Sequence, residues 1–310
     1  MKKRHLILAI LFIALFQDFC DAQTTFWRRR RKEIFFGAGA TNFLGDLGGA
    51  NQIGTNGLRD FDFPAIRPAF EIGYRYRTSK ETAIRGRLAY IRLAGNDKYT
   101  EEPFRKNRNC NFRSPVVELS AQFEYTIVRE RPGHIYNLRG IQGLRNLQIT
   151  SYLFIGVGGI YFNPRGKYID DKWYSLRPLS TEGEGMVPTR KKYSQIQIVI
   201  PVGIGFKYAL NKDWSVGIEY GMRKTFTDYI DDVSKTYFDP NYLEQQKGTM
   251  AKYFSNPTNR SLPPDIGNWE KTTAPGQQRG DVKDKDAYMV AFITFYYKVK
   301  KGQFKLPKFR

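Results

Sequence analysis

Two stretches of strict alternation, residues 195–207 and 214–223, constrain this chain more than any other feature. In the first, Ile196, Ile198, Ile200, Val202, Ile204 and Phe206 alternate with Gln195, Gln197, Gly203, Gly205 and Lys207. In the second, Trp214, Val216, Ile218, Tyr220 and Met222 alternate with Ser215, Gly217, Glu219, Gly221 and Arg223. A period of two is the signature of a strand with one apolar face. The turn Leu210-Asn211-Lys212-Asp213 between them makes a hairpin. Each arm is roughly 11–13 residues long, against ~5–6 in soluble sheets and close to the ~9–11 of a tilted strand crossing a bilayer. So long an apolar face must meet a protein core or lipid. Glycines and charges on the other face suit the inside of a barrel, so the expected fold is all-β: a transmembrane, antiparallel, up-and-down β-barrel.

The rest of the chain supplies further strands of this kind. Residues 33–40 form the first, preceded by the basic stub 23–32 and its run Arg28 to Lys32. The second, 68–77, directs Phe70, Ile72, Tyr74 and Tyr76 outward and Glu71, Gly73, Arg75 and Arg77 inward. A third at 82–92, a fourth at 115–128, a fifth at 150–162, the hairpin and an eighth at 286–300 bring the total to about eight. An even number suits a bacterial outer-membrane barrel. With both termini in the periplasm, the long connections 95–111, 163–192 and 225–285 are extracellular. Inward positions include Glu71, Arg75, Arg85, Arg87, Glu118, Glu124, Lys207, Glu219 and Arg223. An eight-stranded barrel is barely wide enough for its own side chains. Because an unpaired buried charge costs several kcal/mol, on the order given for buried ions, these groups are expected to pair and plug the lumen rather than line a pore.

Composition agrees, with 15% aromatic residues and 28 glycines. No segment after the start approaches the ~18 consecutive apolar residues of a membrane helix. Met1-Lys2-Lys3-Arg4 followed by the apolar run 6–16 has the form of a secretory signal peptide, residues 1–22, cleaved after Ala22. Lipid attachment at Cys20 is disfavoured, because Gln17-Asp18-Phe19 lacks the small residues of a lipobox. Cleavage leaves Cys110 as the lone cysteine, expected to be a buried or idle thiol.

The formal charge of +20 raises nucleic-acid binding, but a secreted barrel has little access to it and no zinc-finger, Walker or RNP-like motif is present. Mature basic segments fall instead on the periplasmic side: the stub, the connection 129–148 and the tail 301–310. That connection is long on the side where turns should be short, so Arg129, Arg131, His134, Arg139 and Arg145, with Lys301, Lys305 and Lys308 of the tail, are candidates for binding an acidic partner or inner-leaflet lipid. His134 has no nucleophile and carboxylate constellation around it in the sequence, and no enzymatic activity or cofactor is expected. Asp228, Asp231 and Asp232 cluster where a Ca²⁺ could collect oxygens or where carboxylates could cap turns, the commoner use.

Two segments carry a resemblance. Asn42-Phe43-Leu44-Gly45-Asp46-Leu47-Gly48-Gly49 and Phe226-Thr227-Asp228-Tyr229-Ile230-Asp231-Asp232-Val233-Ser234 together resemble the PorG-like outer-membrane barrels of the type IX secretion system. The resemblance makes Gly45, Asp46, Gly48, Asp228, Tyr229, Asp231 and Asp232 family-motif residues. It implies a non-enzymatic component of a secretion machine, contacting a periplasmic ring of a PorK-like lipoprotein and a PorN-like protein. The alternative is a surface adhesin or ligand binder working through the long loops.

Overall fold

The alternation of 195–223 becomes a hairpin of β8 (Ile196–Ala209) and β9 (Trp214–Thr225), with Ile204 opposite Tyr220 and Phe206 opposite Ile218. The computed structural model describes residues 30–47, 63–128 and 149–299. The other long strands are β1 (Lys32–Leu44), β2 (Arg67–Arg77), β3 (Thr82–Asn96), β4 (Asn111–Val128), β5 (Ile149–Phe162) and β10 (Ala287–Val299). Neighbours pair antiparallel in the order β3-β2-β1-β10-β9-β8-β5-β4, and the β3–β4 pairing closes the ring. The result is the expected eight-stranded barrel, with no open edge in the ring.

Three strand boundaries differ from the sequence reading, and one of them is β3, which runs on from residue 92 to Asn96 against the early start of β4. β1 runs on to Leu44 because β10 offers backbone opposite it, pairing Phe43 with Tyr288 and Leu44 with Ala287. The motif at 42–49 therefore begins inside a strand. β4 starts before Pro115, whose missing N–H made it look like a strand start; Asn111 instead pairs with Asn96 of β3. The connection 163–192 is also more ordered than a plain loop. It holds the small strands β6 (Arg165–Lys167) and β7 (Trp173–Ser175), and β6 pairs with the protruding end of β4 at Arg113.

Outside, β4 shows Val117, Leu119, Phe123, Tyr125 and Ile127, and every other long strand presents a similar row. Eleven residues at ~3.3 Å each, tilted, give roughly the 25 Å apolar band of a membrane barrel. Trp214, Tyr297, Phe36 and Phe295 cluster at its periplasmic end, as an interfacial aromatic girdle requires. The chain is a membrane-spanning barrel of the outer-membrane type, and among the described residues no helix is long and apolar enough to cross a membrane.

Inside, Glu71, Arg75, Arg85, Arg87, Glu118, Glu124, Lys207, Glu219 and Arg223 are all buried, whereas Arg77, also read as inward, is half-buried at the end of β2, where the strand leaves the lumen. Glu219 pairs with both Arg85 and Arg87, and Arg87 Nε reaches Glu71 at 2.9 Å. Arg75 bridges Glu124 at 2.6 Å and Glu33 at 3.0 Å, while Lys207 meets Glu33 at 2.5 Å. Tyr152 and Tyr288 donate to Glu219 and Glu118 at 3.1 and 2.9 Å. Glu33 and its register partner Lys298 are buried charges missed in the sequence, each beside a basic run at a chain end. Toward the extracellular mouth the lumen turns apolar, a change not foreseen: Ile91, Phe112, Val116, Ile160, Phe162, Val199, Val290 and Phe292 pack there with Leu47, Ile230 and Val233 from the loops.

Candidate functional site

That apolar layer supports a cap made from the extracellular connections, and the cap is where the two sequence motifs meet. The Leu47 and Val233 amides donate to the two oxygens of Asp231, each at 3.0 Å. Asp46 accepts from the Asp281 amide at 3.0 Å, and Asp286 from the Ile230 amide at 2.8 Å. A side chain at Gly45 would place its Cβ 2.3 Å from Asp286 Oδ1, and one at Gly280 would stand 2.3 Å from Asp46 Oδ2. These glycines are there because backbone and carboxylate approach so closely. Asp232 adopts φ +66°, a left-handed turn that Asp tolerates, and accepts from Thr181 Oγ1 at 2.6 Å and Tyr193 Oη at 2.5 Å. Tyr229 stacks on Tyr193, with ring centroids 4.6 Å apart.

Two arginines tie the connections together. Arg279 donates to Glu182 Oε1 and the Asp232 carbonyl, both at 2.9 Å, and to the Phe254 carbonyl at 3.2 Å. Phe254 lies on α3 (Thr249–Ser255), which follows α2 (Pro240–Lys247) within the long connection. Arg108, at the end of α1 (Pro103–Arg108), grips Asp97 at 2.7 Å and donates to the carbonyls of Asp46 and Arg279 at 2.7 and 2.6 Å. Cys110 lies buried beside them as a free thiol, and burial pushes it up to about 11, as expected of a buried, idle core cysteine.

The aspartates at 228, 231 and 232 thus cap backbone amides and accept from hydroxyls, Asp228 holding Ser234 Oγ at 2.7 Å. Among the described residues no trio of His, Cys, Asp or Glu side chains has the arrangement to hold a metal ion. Of the other candidate residues, Gly48 and all eight basic partner candidates, Arg129, Arg131, His134, Arg139, Arg145, Lys301, Lys305 and Lys308, lie outside the described residues. So do residues 1–22, read from the sequence as a signal peptide, and most of the stub.

Among the buried side chains of the cap, negative charge outnumbers positive. Asp97, Glu182, Glu184, Asp228, Asp231, Asp232 and Asp286 are buried there against Arg108 and Arg279. Burial, then mutual repulsion, raises several of these carboxyls; burial chiefly lifts Asp228 to about 7, and Glu184, Asp231 and Asp286 are raised as well. Raised folded values mean that the fold favours the protonated forms. Their stabilisation is full below the ordinary carboxyl range near pH 4 and declines as pH rises toward about 7. Limited proteolysis of the 226–286 connection is therefore expected to be slower at about pH 5 than at about pH 8. Equal protection at both, measured with a protease corrected for its own pH profile, contradicts this.

Comparison with known proteins gives the chain a family. A family described as a domain of unknown function, DUF6089, matches residues 5–251. The chain belongs to DUF6089. No curated protein matches it. Solved structures similar to this DUF6089 barrel include Neisserial surface protein A, at 10% identity and TM-score 0.38 over 86% of this chain and 97% of that one. Ail, the attachment invasion locus protein of Yersinia pestis, matches at 9% and 0.36 over 86% and 96%. OprG from Pseudomonas aeruginosa matches at 9% and 0.33 over 88% and 98%. At these values the DUF6089 barrel is characterised by its own closed sheet, apolar belt and charged interior.

Proposed function

We propose that this outer-membrane barrel is a non-enzymatic component of a type IX-like secretion machine, anchoring a periplasmic ring of a PorK-like lipoprotein and a PorN-like partner. The observation that supports this reading is the filled lumen. Ion pairs occupy its periplasmic part, apolar side chains its extracellular part, and the cap covers the mouth. A barrel whose described lumen is filled by its own side chains acts by what its ends hold. At the periplasmic end the described turns are short, joining β2 to β3 and β8 to β9, whereas β4 and β5 are joined by residues 129–148. The basic residues of that connection, Arg129, Arg131, His134, Arg139 and Arg145, and of the tail, Lys301, Lys305 and Lys308, are the proposed docking set for an acidic surface.

The test is to delete residues 133–146 and isolate the tagged barrel gently from outer membranes. The ring lipoprotein and its partner are expected to be lost from the preparation, and secretion with them, while the barrel stays folded. Recovery of the ring in undiminished proportion would remove the docking surface. A second reading, a surface adhesin or ligand binder, is favoured by apolar side chains left exposed on the cap, Ile169 at 72% and Tyr99 at 55%. It predicts that shortening the long connections abolishes surface binding and leaves secretion intact.

A further inference from the structure

Four arginines gather on one flank of the barrel at its extracellular rim. Arg67 opens β2, Arg92 lies near the end of β3, Arg113 near the start of β4, and Arg165 is directly opposite Arg113 on β6. Thr41 Oγ1 donates to the carbonyls of both Arg67 and Arg92, at 3.1 and 2.6 Å, so these two backbones are adjacent. Arg67 and Arg92 stand close enough to repel the Arg113 guanidinium. Among the described residues none of the four forms an ion pair with a carboxylate. Like charges on neighbouring strands destabilise a sheet unless something neutralises them.

Their depth says what does so. Tyr90, Val117 and Tyr161 face one another across β3, β4 and β5 and point outward, marking the aromatic level of the interface. Arg92 stands two residues beyond Tyr90 and Arg113 four beyond Val117, about 7 and 13 Å along their strands. That is the headgroup layer of the outer leaflet, and the patch lies on the membrane-facing flank rather than on the cap. Aromatic faces hold the side chains: the Arg113 guanidinium lies 4.2 Å from the Trp173 ring centroid and Arg92 5.8 Å from that of Tyr90. Planar guanidinium forks bind phosphate oxygens in pairs.

We infer that Arg92, Arg113 and Arg165, with Arg67 behind them, form a binding site for the phosphate groups of the outer-leaflet glycolipid, lipid A. The barrel would then carry a bound lipid on the β2–β3–β4 flank, independent of any periplasmic partner.

The experiment compares wild type with Arg92→Ala/Arg113→Ala/Arg165→Ala and with a control of equal charge loss elsewhere, Lys191→Ala/Lys212→Ala/Lys247→Ala, all in detergent. Binding of bisphosphorylated lipid A is measured by native mass spectrometry, with dephosphorylated lipid A and excess inorganic phosphate as separate arms. All three proteins are first confirmed as folded by their heat-modifiable gel mobility. Wild type and control are expected to retain the phosphorylated lipid, and the arginine variant to bind it at least about tenfold more weakly, each interfacial cation contributing a several-fold factor. Three results would each overturn the site: unchanged binding in the arginine variant, equal binding of the dephosphorylated lipid, or complete displacement of lipid by inorganic phosphate.

Discussion

A Glu219→Gln variant is expected to lose about 3–5 kcal/mol of barrel stability, the cost of removing one partner from a buried ion pair. Glu219 is the carboxylate shared by Arg85 and Arg87, and it also accepts from Tyr152. The amide keeps the shape and part of the hydrogen bonding but not the charge, so two buried guanidinium groups lose their common counter-ion. The readout is the urea midpoint of the barrel in detergent, followed by its gel mobility. Combining the change with Arg85→Gln restores part of the loss, because Glu124 keeps Arg75 as a partner and the charges again offset one another. An unfolding free energy within ~0.5 kcal/mol of wild type for Glu219→Gln, or strictly additive losses in the double variant, would show that the pairs do not govern lumen stability.

The second large effect is expected in the cap and should leave the barrel alone. Arg279→Met removes the cation that joins Glu182, the Asp232 carbonyl and the Phe254 carbonyl, and it raises the excess of buried negative charge. The cap then opens locally by about 3 kcal/mol, so proteolytic cleavage within residues 226–286 should quicken by roughly a hundredfold. The strands keep their ladder and their heat-modifiable mobility. The loss should be smaller at about pH 5, where protons offset part of the missing positive charge. Cleavage at the wild-type rate, or loss of the barrel together with the cap, would each refute the claim that Arg279 is a latch for the cap alone.

The family-motif residues illustrate how far spacing can be read. For Asp228, Asp231 and Asp232 turn capping is the commoner expectation from the sequence, while Asp46 stands out only through the family resemblance. Their use is now specific: Asp231 receives an amide from each motif, and Asp46 receives the Asp281 amide. No sequence signal joins residue 46 to residue 281, because the two are brought together by the closing of β1 against β10. The arginine flank was equally hidden. Arg67, Arg92, Arg113 and Arg165 are scattered through the chain, and barrel closure and the β4–β6 pairing make them neighbours.

By itself the sequence determined the eight strands of the barrel, the lipid-facing rows and the charged interior, since a two-residue period sends alternate side chains to opposite faces whatever the partner strands are. Tertiary structure alone decided which charges pair across the lumen, where its interior changes from charged to apolar, and how the long connections fold into a cap. Those outcomes depend on register between strands distant in sequence and on the confined lumen of an eight-stranded barrel, neither of which is written in local periodicity.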